Sequence, residues 1–312
     1  MGFVWSMMRL VNAFTAAKDH RRMKSQPPID GVALRVFDYL PDGNPMHALN
    51  VYRPEDRDGV LPLILDIHGG GWTYGDKDLN GYYARTLAKK GFVVVTPSYR
   101  LLPETDLKGQ LQDIFAAADY IGRHAAEWGV DLNDIMLTGD SAGAHLALAT
   151  YAIGQRDDLQ AVYGVGKLPF TVSCIVLSHG ACDVHELALR MSDGKPFAVG
   201  KIVQRQYSRM MFGKHPEDNP VSRNADIKEL CEGVEFPYVM VIGCDRDIFR
   251  PHTKRLDAYF RTRAKEYLFS YTEGEEGKRL EHVFNIIRPE WEESVKVNDL
   301  SVDFFLRSRG NR

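Results

Sequence analysis

Five consecutive residues, Gly139-Asp140-Ser141-Ala142-Gly143, have the form G-x-S-x-G. Alone the pattern is a weak signal, and an ordinary glycine–serine turn also satisfies it. Its setting adds weight: the apolar run 135–138 leads into it and a helical run from Ala142 leads out. Strand, sharp turn and helix are what a nucleophile elbow needs, because the flanking glycines let a strained backbone lift the Ser141 hydroxyl above a sheet. The following helix points its positive end at the same place and favours negative charge there. A second cluster, His68-Gly69-Gly70-Gly71-Trp72, directly follows the apolar run 63–67. Glycine lets backbone N–H groups face a ligand with no side chain in the way. Acyl transfer needs such donors for the oxyanion of its tetrahedral intermediate. The N–H groups of Gly70, Gly71 and Ala142 are the candidates, although a flexible loop would explain the glycine triplet taken by itself.

A serine nucleophile requires a base, expected on a loop after a late strand. Of ten histidines, only His282 follows the last predicted strand, 267–271. His252 falls inside a predicted helix, His145 lies one turn past Ser141 and reads as a packing residue, and His68 reads as a brace for the glycine loop. The base in turn needs an acid to fix its tautomer and stabilise the imidazolium. Asp247, Asp245 and Asp183 each follow a predicted strand, and position favours Asp247. The chain order Ser141, Asp247, His282 is that of α/β-hydrolases, not of chymotrypsin or subtilisin.

These residues need a scaffold. Strand-like runs occupy 33–40, 48–53, 63–67, 92–96, 135–138, 172–178, 238–242 and 267–271. The turn Pro41-Asp42-Gly43-Asn44 makes the first two a hairpin. The later runs are continuously apolar, as strands covered on both faces are. Helical segments at 81–90, 107–127, 142–153 and 251–265 alternate with them, so the fold class is α/β with a mainly parallel sheet. Phe3, Val4, Met7, Met8, Val11 and Phe14 recur at helical spacing, and that apolar stripe is expected to bury against something. The stretch from Asp183 to about Leu230 is too long for a crossover and reads as an insertion over one end of the sheet. It contains an amphipathic segment, 197–212, with Ile202, Val203, Tyr207, Met210 and Met211.

The chain resembles α/β-hydrolases of the esterase/lipase group that includes hormone-sensitive-lipase-like bacterial carboxylesterases, over about residues 33–305. The resemblance rests on His68-Gly69-Gly70-Gly71-Trp72, Tyr99-Arg100-Leu101-Leu102-Pro103-Glu104, the pentapeptide around Ser141, Gly243-Cys244-Asp245-Arg246-Asp247 and His282-Val283-Phe284. It implies an eight-stranded, mostly parallel sheet flanked by helices, with a helical cap. It also implies an oxyanion hole at Gly70, Gly71 and Ala142, the acid at Asp247, and structural roles for Tyr99-Arg100 and Pro103-Glu104. The cap would combine residues 1–30 with an insertion at about 184–230, the core being 31–312. Two departures bear on the acyl pocket: Asp106-Leu107-Lys108-Gly109 replaces the usual Phe-Pro-Ala, and Ile248 replaces the usual proline after the acid. The implied activity is a serine carboxylesterase acting on short- to medium-chain, acetyl or aryl esters, with no metal or organic cofactor. Carbohydrate deacetylation or feruloyl ester cleavage, peptide hydrolysis and non-catalytic ligand binding are the other readings. Phe197, Tyr207, Met210, Met211 and Phe212 either line an acyl pocket or pack the cap onto the core.

Composition narrows the partners. The 312 residues hold 39 basic and 42 acidic side chains, a net charge of −3. Such balance gives no general electrostatic reason to expect nucleic acid or an anionic membrane. No apolar run reaches the 18 or more residues of a membrane span. Cys174, Cys182, Cys231 and Cys244 lack metal-site spacing and suit buried thiols in a reducing cytoplasm. Residues 1–18 lack a basic region ahead of an apolar core, so a cleaved signal peptide is not expected. The expected partner is a small-molecule ester, and the pattern is compatible with a homodimer.

Overall fold

Valine-, isoleucine- and leucine-rich runs form the centre of the molecule. The computed structural model describes residues 2–186, 198–277 and 280–310. Its strands are β1 (Val32–Asp38), β2 (Ala48–Pro54), β3 (Leu61–Ile67), β4 (Val93–Pro97), β5 (Val130–Asp140), β6 (Val172–Ser178), β7 (Phe236–Cys244) and β8 (Ala264–Thr272). They form one eight-stranded sheet in the order β1-β2-β4-β3-β5-β6-β7-β8. β2 runs antiparallel to β1 and β4, and the other pairings are parallel. Every residue of β3, β4 and β6 is buried, which explains their largely apolar pattern.

Among the described residues the first six α-helices are α1 (Gly2–Ser25), α2 (Gly81–Lys89), α3 (Leu107–Trp128), α4 (Ala142–Gln155), α5 (Asp157–Tyr163) and α6 (Ala198–Phe212). Two further helices of more than ten residues follow, Arg250–Phe260 and Glu292–Gly310. Alternation along β3 splits the core: Leu63, Leu65 and Ile67 join α3, α4 and Arg250–Phe260, while Ile64 joins α2 and Glu292–Gly310. Helix α3 starts where the Asp106 carboxylate accepts from Gly109 N–H at 2.8 Å. It stops at Gly129, whose φ of 63° suits the left-handed cap.

Two expectations change and one open alternative is narrowed. Helix Arg250–Phe260 ends before the predicted 265, because Ala264 already pairs with Phe236 of β7. The sheet's hydrogen bonds override the helical preference of Ala264 and Lys265. Of the apolar stripe of α1, Val11 and Phe14 are 55% and 70% exposed, and Met8 is half-buried. The polar face docks instead. Asn12 donates to the Thr73 carbonyl at 2.9 Å, Tyr74 donates to Asp19 at 2.9 Å, and Arg22 is buried with its guanidinium on the Ile287 and Leu79 carbonyls. The side chains of Phe3, Val4 and Met7 lie outside the described residues. Finally, Met211 and Phe212 of α6 are core residues, so they pack this helix down. Phe197 lies outside the described residues, as do the side chains of Ile202 and Val203.

Candidate active site

The elbow is built by close packing. Ser141 follows β5 directly, with φ 54° and ψ −115°, and α4 begins at the next residue. A Cβ on Gly143 would lie 2.0 Å from the Ile67 carbonyl oxygen, and one on Gly139 would lie 2.4 Å from that of Gly143. Only glycine lets β3, β5 and α4 meet this tightly. The turn is pinned by Ser141 N–H on the Ser178 carbonyl at 2.9 Å and by Ala181 N–H on the Ser141 carbonyl at 3.1 Å.

The glycine loop is braced on all sides. His68 stacks on Tyr99 with ring centroids 4.3 Å apart, and Tyr99 donates to the His68 carbonyl at 2.7 Å. Burial pushes the His68 imidazole down to about 4, so it is a neutral brace. Gly69 N–H donates to Asp140 at 2.9 Å, tying the loop to the elbow. Gly70 and Gly71 have positive φ of 105° and 59°, and Trp72 follows at 59°. Tyr207 of α6 donates to the Gly71 carbonyl, and its ring meets Trp72 edge-on. Among the described residues, the N–H groups of Gly70, Gly71 and Ala142 have no acceptor within the protein.

Asp247 and His282 come together from two loops. Asp247 lies in the turn after β7, where its N–H reaches the Cys244 carbonyl at 3.3 Å. His282 Nδ1 lies 2.6 Å from Asp247 Oδ1, and Phe249 N–H donates to the same oxygen at 2.9 Å. Burial pushes the Asp247 carboxyl up, but the hydrogen bond and charge of His282 outweigh it and leave it below the ordinary value. Among the described residues the Ser141 hydroxyl has no hydrogen-bond partner, and loose nucleophile–base geometry is common without substrate. The other acids are engaged elsewhere. Asp245 accepts from Tyr271 at 3.1 Å and from Gly274 N–H at 2.9 Å, and Asp183 is held by Arg255. Of the other histidines, His145 bonds the Ala225 carbonyl at 2.9 Å, and His252 Nδ1 faces Cys182 N–H at 3.4 Å.

Among known proteins, the BD-FAE family model matches residues 49–229. Esterase B of Lactobacillus rhamnosis, in an inhibited form, superposes with a TM-score of 0.91 at 30% identity, covering 98% of this chain and 97% of that one. The chain belongs to the BD-FAE family. Carboxylesterase NlhH of Mycobacterium tuberculosis is 36% identical over 131 residues, 41% of this chain and 40% of its own. The isoprenylcysteine alpha-carbonyl methylesterase ICME of Arabidopsis thaliana is 30% identical over 103 residues, 33% of this chain and 24% of its own. The chain thus matches only about a quarter to two fifths of the length of these curated relatives. The fold is that of the α/β-hydrolase esterases, as the motifs implied.

In this BD-FAE chain the sequence reading missed two features of the site. His179 follows β6, is fully buried at φ 51°, and its ring stands edge-on to His282 at 5.8 Å. Burial pushes it down to about 4, and Ser178 Oγ lies 3.0 Å from its Nδ1. Beneath the glycine loop, Asn80 donates to both Asp66 at 3.0 Å and Asp140 at 2.8 Å. The signal available in the sequence was position, since ligands gather at the carboxyl ends of parallel strands. Among the described residues, two groups bring three potential metal ligands within 4.8 Å of one another: Cys182, Asp183 and His252, and the exposed His215, Glu217 and Asp218. At the first, Arg255 already holds the Asp183 carboxylate, and burial pushes the Cys182 thiol well above its usual range. Both features oppose a cation there.

Proposed function

We propose that this protein is a serine carboxylesterase with Ser141 as nucleophile, His282 as general base and acid, and Asp247 as the residue that orients His282. The observation that carries the reading is the 2.6 Å contact between Asp247 and His282. Such a contact fixes the proton on Nδ1 and leaves Nε2 free to accept. His282 takes the Ser141 proton as Oγ bonds to the ester carbonyl carbon. The resulting oxyanion lies on the N–H groups of Gly70, Gly71 and Ala142. Collapse breaks the ester C–O bond, and the leaving oxygen takes the proton from His282 and departs as the alcohol. Water then loses a proton to the same imidazole, attacks the acyl-enzyme and releases the acid, and Ser141 regains its hydrogen.

Helix α1 and the insertion before β7 serve as the cap over this site. A tributyrin phosphonate inhibits esterase B of Lactobacillus rhamnosis, which is 30% identical with a TM-score of 0.90. That supports short acyl chains here. Four free, buried cysteines favour a reducing compartment, and we place the enzyme in the cytoplasm.

The test is hydrolysis of p-nitrophenyl esters from acetate to decanoate, together with methyl ferulate, by wild type and Ser141→Ala. Turnover of the shorter esters, lost in a variant that retains the wild-type melting curve, is the expected result. No turnover by folded wild type, or equal turnover by both proteins, would sink the reading. A strong preference for methyl ferulate would move the substrate to hydroxycinnamoyl esters.

A further inference from the structure

Among the described residues, four non-glycine residues have positive φ: Trp72, Ser141, His179 and Val283. Left-handed backbone is uncommon for a residue with a side chain, and for the β-branched Val283 it is an outlier. It persists only where the surroundings over-determine it. Trp72 ends the glycine loop, Ser141 is the candidate nucleophile, and Val283 follows His282. His179 alone of the four has no part in the catalytic reading.

The surroundings of His179 are a polar chain whose protons can be placed one by one. Ser178, His179, Asn285 and Asn298 are all buried. The Asn298 side-chain amide donates to the Asn285 backbone carbonyl at 2.8 Å, so its Oδ1 accepts from the Asn285 side-chain amide at 3.1 Å. That turns Asn285 Oδ1 towards Ser178, whose hydroxyl donates to it at 2.7 Å. The hydroxyl's one proton is then committed, so His179 Nδ1, 3.0 Å from Ser178 Oγ, is the donor of that pair.

Ser178 thereby holds both halves of the site. Its carbonyl accepts from Ser141 N–H at 2.9 Å, which pins the elbow. Its hydroxyl holds Asn285, in the turn that begins just after His282. Its neighbour His179 is anchored by its N–H on the Ile242 carbonyl at 2.8 Å and stands perpendicular to the His282 ring, with centroids 5.8 Å apart.

We propose that Ser178, acting through Asn285 and His179, is a positioning residue for acyl transfer that sets the loop of His282 against the elbow of Ser141. Misplacing a reacting group by about 1 Å costs up to about 10² in rate, so one buried hydroxyl is enough to matter. The reaction served rests on the esterase reading, whereas the placement of His282 can be read without turnover.

The test compares Ser178→Ala with Ser173→Ala. Ser173 lies near the other end of β6 and donates to Asp134 at 2.6 Å, so its variant loses a buried serine hydrogen bond on the same strand. Steady-state hydrolysis of p-nitrophenyl butyrate and the downfield NMR resonance of His282 Nδ1–H in the resting protein are measured beside melting curves. Both variants are expected to lower Tm. Only Ser178→Ala is expected to broaden the His282 resonance and to lower kcat, by about 10–10² with KM near its wild-type value. Ser178→Cys fills similar space with a weaker donor and is expected to fall between wild type and Ser178→Ala. It carries the comparison if the alanine variant does not fold. A kcat equal to that of Ser173→Ala overturns the proposal, and the esterase reading survives if Ser141→Ala is inactive. A loss confined to KM also overturns it, because Ser178 would then shape the pocket rather than place the base. Wild type without turnover removes the esterase reading. In that case a resonance still broadened in Ser178→Ala keeps the positioning of His282, and an unchanged resonance overturns it as well.

Discussion

Gly70 and Gly71 share one loop and one sign of φ, yet a side chain meets different obstacles at each. A Cβ on Gly70, at φ 105°, would lie 2.0 Å from the Tyr74 carbonyl oxygen, which is backbone and cannot step aside. At Gly71, with φ 59°, the nearest atom is the Tyr207 hydroxyl at 3.4 Å. Gly70→Ala is therefore expected to displace the donors and lower kcat by about 10²–10³, the worth of an oxyanion donor. Gly71→Ala faces only left-handed backbone strain of about 1–2 kcal/mol and is expected to keep most of its activity. Steady-state kinetics on p-nitrophenyl butyrate beside thermal melts separates the two, and equal losses would reject this account. Asp247 makes a sharper case. Its carboxyl is held below the ordinary carboxylate range by His282, so its contribution persists through neutral pH and fades only as pH falls through that lowered value. Asp247→Asn is expected to lower kcat by about 10⁴ with KM little changed, because the amide selects the wrong tautomer of His282. A change in KM alone would remove Asp247 from that role.

Two elements meet where Tyr207 of α6 donates to the Gly71 carbonyl. One hydrogen bond of this kind is worth about 0.5–1.5 kcal/mol. Tyr207→Phe keeps the ring against Trp72 and removes only the donor. It is expected to lower kcat roughly two- to tenfold while leaving KM near its wild-type value. A loss confined to KM would make Tyr207 a pocket wall rather than a brace. The elements themselves were unequally legible. Strands β3, β4 and β6 could be read because burial on both faces leaves them mostly apolar, and the elbow could be read because its glycines have no substitutes. Helix Glu292–Gly310 escaped notice: Val297, Val302, Phe304 and Phe305 are buried, but its valines and serines blur the helical signal. Helical spacing reveals α1 as a helix but not its docking face, because Asn12, Asp19 and Arg22 find partners that spacing cannot show. His282 and Asp247 could be singled out as candidates because each follows a predicted strand. His179 could not be joined to them, since nothing in the sequence places it edge-on to His282.

At the scale of the whole molecule, the least comfortable group lies in the middle of the sheet. Asp66 of β3 is fully buried, accepts one hydrogen bond from Asn80, and has no partner for Oδ1 among the described residues. Burial, reinforced by the Asp140 charge and opposed by Asn80, pushes its carboxyl up to about 8. In the unfolded chain an aspartate titrates near 4 (about 3.9). The folded state therefore holds this proton more tightly than the unfolded state does. The stabilisation is complete below about pH 4, shrinks as pH rises, and is gone once pH passes about 8. Stability should thus fall from pH 5 to 9 through a group that touches no substrate. Asp140 shares the strain, since burial raises it too, but Gly69 N–H and Asn80 offset part of that. Asp66→Asn keeps the size and an oxygen for Asn80 while removing the ionisation. It is expected to raise Tm at pH 9 by about 2–4 °C, the shift that about 1 kcal/mol produces in a chain of comparable size. At pH 5 the gain should vanish or reverse, because the native acid is already neutral there. Melting curves of both proteins across pH 5–9 decide it, and two parallel curves would show that Asp66 does not set the alkaline limit. The same carboxyl pair lies beneath the glycine loop. An alkaline loss of activity that tracks Tm in wild type and moves upward in Asp66→Asn would therefore trace catalytic failure to the sheet rather than to the base.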